Sequence, residues 1–148
     1  MTARLEHANL SVHDLDGVIR FLRTAFPDFR VRRDATGDDG QRWVHVGTTE
    51  TYVALNQAAP DGGPPHEPYR GRPGLNHLAY EVDDIAAVSE RLRAAGYRQS
   101  AAAEQHPHRS RAYFLDPDGN DWEFVQYLAD DPASRHDYEL PDPLDSLP

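Results

Sequence analysis

The 148-residue chain has no cysteine, so it has neither a disulfide framework nor a thiolate metal site. It lacks any apolar run of the roughly 18 residues that a membrane span needs. Its first residues, Met1-Thr-Ala-Arg-Leu-Glu6, lack the apolar stretch of a secretory signal. The expectation is a cytoplasmic protein that makes no membrane contact. Basic excess is missing too. The formal net charge is −10, whereas nucleic-acid binders need basic stripes. Much of the acidity falls in the tail, at Asp130, Asp131, Asp137, Glu139, Asp142 and Asp145 against Arg135. There it favours solubility and says little about charge around a cleft.

What the chain does contain is a weak internal repeat. Shifted by seventy positions, His7-Ala-Asn-Leu-Ser-Val12-His-Asp14-Leu-Asp-Gly-Val18 lies over His77-Leu-Ala-Tyr-Glu-Val82-Asp-Asp84-Ile-Ala-Ala-Val88. Leu22, Arg23 and Ala25 continue onto Leu92, Arg93 and Ala95. A repeat of this length is too long for a solenoid unit and points to two fused modules.

Each module reads as βαβββ. In the first, Arg4 to Val12 alternates like a strand. Leu15, Val18, Ile19, Leu22 and Phe26 then follow helical spacing, with Asp14 as N-cap. Strands are expected over 29–33, 41–47 and 51–57, with Asp38-Asp-Gly40 as a turn. Residues 58–73 hold five prolines and three glycines and read as a linker or surface loop. In the second module, 75–82 is a strand. Ile85, Val88, Leu92 and Ala95 form a helical stripe, closed by Gly96 at C′. Strands follow over 97–102, 111–115 and 121–127, the last two joined by the turn Asp116-Pro-Asp-Gly119. The domain is expected over 1–127, as module one (4–57), linker (58–73) and module two (74–127). Residues 128–148 read as an acidic, proline-rich extended arm.

Strand alternation assigns faces. Ala8, Leu10 and Val12 pack under the first helix, and Leu78, Tyr80 and Val82 under the second. His7 and His77 then face away, together with Asn9, Tyr52 and Asn56. In the last strand Trp122 and Phe124 belong to the helix side, which puts Glu123 and Val125 on the face of the histidines. Two imidazoles and a carboxylate suit zinc, iron, manganese, nickel or cobalt, and they leave positions open for substrate. His7, His77 and Glu123 are therefore the candidate metal ligands. Arg111 and Arg42, aligned through the repeat, are expected on that face too. There a guanidinium can hold a substrate carboxylate or make a salt bridge with a neighbouring acid. Trp43 and Trp122 read as core. His13, His66 and His136 read as solvated histidines in turns or loops, and His106-Pro-His108 as a segment able to close over the cleft.

The segments His7–Leu15, His77–Ile85 and Tyr113-Phe-Leu-Asp-Pro-Asp-Gly-Asn-Asp-Trp-Glu123 resemble the vicinal oxygen chelate superfamily, the glyoxalase, bleomycin-resistance and extradiol dioxygenase group. The resemblance covers about residues 4 to 127. It implies an α+β fold, two paired βαβββ modules forming a curved mixed sheet with a concave cleft. It also implies a homodimer and a divalent metal, with His7, His77 and Glu123 in the ligand positions. The glyoxalase I-like members carry a fourth ligand where this chain has Ala54. That puts hemithioacetal isomerisation in doubt, and epimerisation with it. The three-ligand pattern is similar to fosfomycin-modifying thiol transferases and extradiol dioxygenases. In the former a tyrosine at the position of Tyr113 lines the substrate pocket, but their lysine and serine loop is replaced here by Ala103–Arg109. His45, His106, His108 and Tyr113 are available for oxygen chemistry. The expectation is thus a metal-dependent enzyme acting on a small chelating substrate, by a glyoxalase-like lyase or isomerase step, thiol transfer or dioxygenation, with Tyr113 and Arg111 orienting the substrate. The alternative is a bleomycin-type protein that sequesters an antibiotic without turnover.

Overall fold

The computed structural model describes residues 3–65, 67–71 and 73–138, and their side chains other than those of 103–105. His66 and the acidic tail from Glu139 lie outside the described residues. Two compact units partition the chain, Met1–His66 with Asp116–Gly119, and Glu67–Leu115 with Asn120–Pro148. No helix among the described residues is long and apolar enough to cross a membrane.

The first unit comprises β1 (His7–Val12), α1 (Leu15–Ala25), β2 (Arg30–Thr36), β3 (Arg42–Gly47) and β4 (Tyr52–Gln57). Its four strands form one sheet in the order β1-β4-β3-β2, with β1 and β4 parallel and the other pairs antiparallel. The Asp14 side chain accepts the Gly17 N–H at 2.8 Å and starts α1 as an N-cap. Leu15, Val18, Phe21, Leu22 and Ala25 are then buried on one stripe of the helix. Val44, Val46, Val53 and Leu55 supply the buried face of the sheet. The Asp118 carboxylate, from the 116–119 turn, accepts the backbone N–H groups of His13 and Asp14 at the entry to the helix.

The second unit repeats the plan with β5 (His77–Glu81), α2 (Ile85–Ala94), β6 (Gln99–His106), β7 (Arg109–Leu115) and β8 (Asp121–Tyr127), in the order β5-β8-β7-β6. Two four-stranded mixed sheets of βαβββ topology therefore make the α+β fold. Helix α2 closes with Gly96 at φ +83°, where its N–H reaches Arg93 and that of Tyr97 reaches Leu92. This is the paired C-terminal closure that a left-handed residue allows. Trp122, Phe124, Phe114, Ala112 and Leu92 form the buried helix side.

Three expectations change. Residues 99–106 form one long strand that turns at His106-Pro-His108 into β7, so this segment is a hairpin tip. The C-terminal segment is not extended from 128. Residues Pro132–Arg135 make a short helix, α3. Arg135 reaches Glu81 at 2.7 Å and lies over the Tyr127 ring, which ties the segment to its own unit. Trp43 is only half-buried and packs against His45 on the face away from α1, with ring centroids 4.9 Å apart. Its neighbours Val44 and Val46 fill the core instead.

Candidate functional site

Register fixes which side chains share a face, because residues paired across neighbouring strands point the same way. In the second unit β5 and β8 pair His77 with Asp121 and Ala79 with Glu123. Strands β7 and β8 pair Tyr113 with Glu123 and Arg111 with Val125. His77, Asp121, Glu123, Tyr113 and Arg111 thus occupy the face opposite Trp122 and Phe124.

The contacts on that face are close. Nε2 of His77 lies 3.0 Å from Oε2 of Glu123. The Tyr113 hydroxyl donates to Oε1 of the same carboxylate at 2.9 Å. Glu123 is only 6% exposed and Tyr113 only 7%. Burial first, and the adjoining Glu123 carboxylate second, push the Tyr113 phenol above its ordinary range. It stays protonated at neutral pH and acts as a donor.

Two further residues complete the cluster. The Tyr69 hydroxyl lies 2.6 Å from Nδ1 of His77. Ser100 donates to Asp121 at 2.6 Å. The Tyr69 phenol is pushed up to about 12, by burial first and by the Asp121 and Glu123 charges next. Burial raises the Asp121 carboxyl, with the hydrogen bond from Ser100 opposing it most. Sequence reasoning passed over both residues. Asp121 shares the strand parity of Glu123, and that signal would have found it. Tyr69 sits in the proline- and glycine-rich loop, where no periodicity operates.

In the first unit β1 and β4 pair His7 with Tyr52 and Asn9 with Ala54, while β3 and β4 pair His45 with Ala54. Ala54 therefore occupies the register of Glu123, and His45 that of Tyr113. His7 stacks on Tyr52 with ring centroids 4.8 Å apart, and its Nδ1 is hydrogen-bonded to the Glu6 carboxylate. A neutral ring with its proton on Nδ1 presents Nε2 as the lone-pair nitrogen. His45 packs against Tyr52 at 4.6 Å, and Arg32 lies over the Tyr52 ring at 4.3 Å. Burial, then the charges of Arg32 and His7, lower the His45 pKa. Asn56 donates to Asn9 at 2.6 Å on the same face.

Arg42 does not share that face, which corrects its alignment with Arg111. Trp43 pairs with Asn56 where Arg111 pairs with Val125, so Trp43 is the register counterpart of Arg111. Arg42 instead turns to the helix side, where it binds Asp34 at 2.8 Å and Asp16 of α1 at 2.9 Å. The salt-bridge alternative is the one realised. Of the remaining histidines, His106 is buried at the hairpin tip and its Nδ1 accepts the His108 N–H at 3.2 Å. His13 is 3.4 Å from Asp118, and His136 caps α3.

The sequence profile of the Glyoxalase/Bleomycin resistance protein/Dioxygenase superfamily matches residues 4–124. The chain belongs to that family, the vicinal oxygen chelate superfamily. It is 28% identical over 122 residues to an ethylmalonyl-CoA/methylmalonyl-CoA epimerase of Cereibacter sphaeroides, covering 79% of this chain and 90% of the relative. The fold is similar to a glyoxylase/bleomycin resistance protein/dioxygenase domain from Frankia sp. EAN1pec, with TM-score 0.72, 23% identity, and 86% and 99% of the two chains covered. It is also similar to the fosfomycin resistance protein FosX of Listeria monocytogenes, solved with manganese(II) and sulfate. There the TM-score is 0.64 with 19% identity, over 91% of this chain and 98% of that one.

The donor chemistry of the second unit suits the divalent ion that this family implies. Ligand bonds of about 2.1 Å at right angles put two donors about 3.0 Å apart. The His77–Glu123 separation of 3.0 Å matches that spacing and equally a direct hydrogen bond between the two side chains. Among the described residues no group of three or more histidine or acidic side chains is gathered for an ion. The second unit offers two donors.

Proposed function

We propose that the chain is a divalent-metal-dependent enzyme acting on a small oxygenated substrate that chelates the ion. His77, Glu123 and His7 are the protein ligands. A homodimer is part of this reading, with His7 coming from the same chain or from a second copy. The observation that carries it is the 3.0 Å approach of the His77 imidazole to the buried Glu123 carboxylate.

A bound divalent ion supplies Lewis acidity toward the substrate's oxygen atoms. The chain's own residues do the rest. Tyr113 holds Oε1 of Glu123 and so leaves Oε2 directed at His77. Arg111, on the same face, offers a guanidinium to a substrate carboxylate or enolate. With Ala54 in the register of Glu123 there is no second carboxylate to take a proton from that position. The reading therefore keeps a lyase or isomerase step, thiol transfer with ring opening, and dioxygenation as its chemistries, with no proton transfer at the Ala54 position. The test is calorimetric titration of manganese(II), nickel(II) and zinc(II) into chelator-treated protein. One ion per site is expected, with binding at least about 100-fold weaker in Glu123→Gln, since a carboxamide brings no charge to the ion. Equal affinity in the variant contradicts the assignment.

A second reading, ligand sequestration without turnover, is favoured by the ring cluster of the first unit. Trp43, His45, Tyr52 and His7 pack in succession, with Arg32 over Tyr52. Such a surface stacks a planar ligand without any metal. Ligand-induced quenching of Trp43 fluorescence in metal-free protein supports this reading. Binding that vanishes with the metal opposes it.

A further inference from the structure

We infer that Tyr69 is a positioning residue, whose hydroxyl holds the His77 ring at Nδ1 and aims Nε2 at the ligand position beside Glu123. The inference rests on the metal-binding reading for its purpose but not for its geometry.

The arrangement follows from two close contacts on one ring. The Tyr69 hydroxyl lies 2.6 Å from Nδ1 of His77, and Nε2 of the same ring lies 3.0 Å from Oε2 of Glu123. A ring gripped at one nitrogen has its other nitrogen fixed in direction. Asp121, 6% exposed and paired with His77 in register, takes a hydrogen bond from the Ser100 hydroxyl at 2.6 Å.

The chain also invests conformation in this placement. Tyr69 is a non-glycine residue in the left-handed region, at φ +61°. Side chains rarely adopt that backbone conformation, and it persists only where the surroundings enforce it. Here Asn76, the residue before His77, accepts the Tyr69 N–H at 2.9 Å. The loop is pinned at its backbone by the neighbour of the histidine and at its hydroxyl by the histidine itself. Tyr69 as a whole stays 57% exposed, so core packing does not account for the arrangement. A histidine ligand whose second nitrogen is hydrogen-bonded to an outer partner is held in one orientation. Tyr69 is such a partner for His77.

The experiment uses the full chain, with Tyr69→Phe as the main variant because it keeps the ring and removes only the hydroxyl. Nitrogen-15 spectra of histidine-labelled, metal-free protein, assigned with His77→Gln, report the hydrogen bond at Nδ1 of His77. The inference expects the Nδ1 resonance of His77 to move in Tyr69→Phe, where that partner is lost. An unchanged Nδ1 resonance in the variant overturns it. Zinc(II) titration is the second readout, with affinity about 10- to 100-fold weaker in Tyr69→Phe. Affinity within twofold of the parent overturns the positioning role. A Nδ1 resonance that moves in the variant while neither protein takes up zinc defeats the metal-binding reading and leaves the Tyr69 contact established.

Discussion

His77 and Glu123, far apart in sequence, meet at 3.0 Å because the parallel pairing of β5 with β8 sets their strands side by side. Neither residue leans on its own helix for position. The sheet register places them, Tyr113 fixes the carboxylate from β7, and Tyr69 reaches the imidazole from the loop before β5.

Removing the Tyr113 hydroxyl tests the first of those supports. Tyr113→Phe leaves a buried carboxylate oxygen without a donor at 2.9 Å. Loss of a hydrogen bond to a buried charged group costs about 1.5–3 kcal/mol. Urea denaturation is expected to show a midpoint lowered accordingly, and an unchanged midpoint contradicts the assigned contact.

Arg42 is the control on the opposite side of its sheet. Arg42 holds the Asp34 carboxyl below the usual carboxylate range, chiefly by their hydrogen bond. A depressed carboxyl stabilises the fold above its unfolded pKa, and that contribution is lost as pH falls through the folded value. The pair is partly exposed, so Arg42→Ala is expected to cost less than about 1 kcal/mol at neutral pH. Metal affinity is expected to stay at the parent value. A drop in affinity would mean that Arg42 serves the site after all.

His45 predicts an acid-side effect. Its folded pKa lies below the ordinary imidazole value through burial, then through Arg32 and His7. The unfolded chain then binds the proton more readily, so stability falls as pH drops below about 6.5. Stability measured between pH 7.5 and 5.5 is expected to fall more in the parent than in His45→Gln, which has no proton to gain. Parallel curves contradict the assignment.

Alternation made much of this legible in the sequence. Strand β8 was readable at both ends, because Trp122 and Phe124 alternate with Glu123 and Val125 and only one parity is apolar. The two-module plan was legible in the repeated strand-to-helix segments, each opened by a histidine and capped by an aspartate at 14 or 84. Arg42 was misplaced because matching one arginine to another ignores register. A long side chain with an apolar stem and a charged tip suits either face, and only the pairing of Trp43 with Asn56 decides the matter. Trp43 looked like core by hydrophobicity, yet it lies on the other face from Val44 and Val46. Tyr69 was illegible for a different reason. Its position depends on a left-handed backbone and on contacts to Asn76 and His77, and neither leaves a periodic trace in a loop.

The most direct measurement is the metal content of freshly purified and ion-reconstituted protein by plasma mass spectrometry, with His77→Ala alongside. The account predicts near-stoichiometric divalent metal in the parent and none in the variant, with both chains folded by circular dichroism. A parent that takes up no metal from manganese, iron, nickel, cobalt or zinc, or a variant that retains it, would contradict the account.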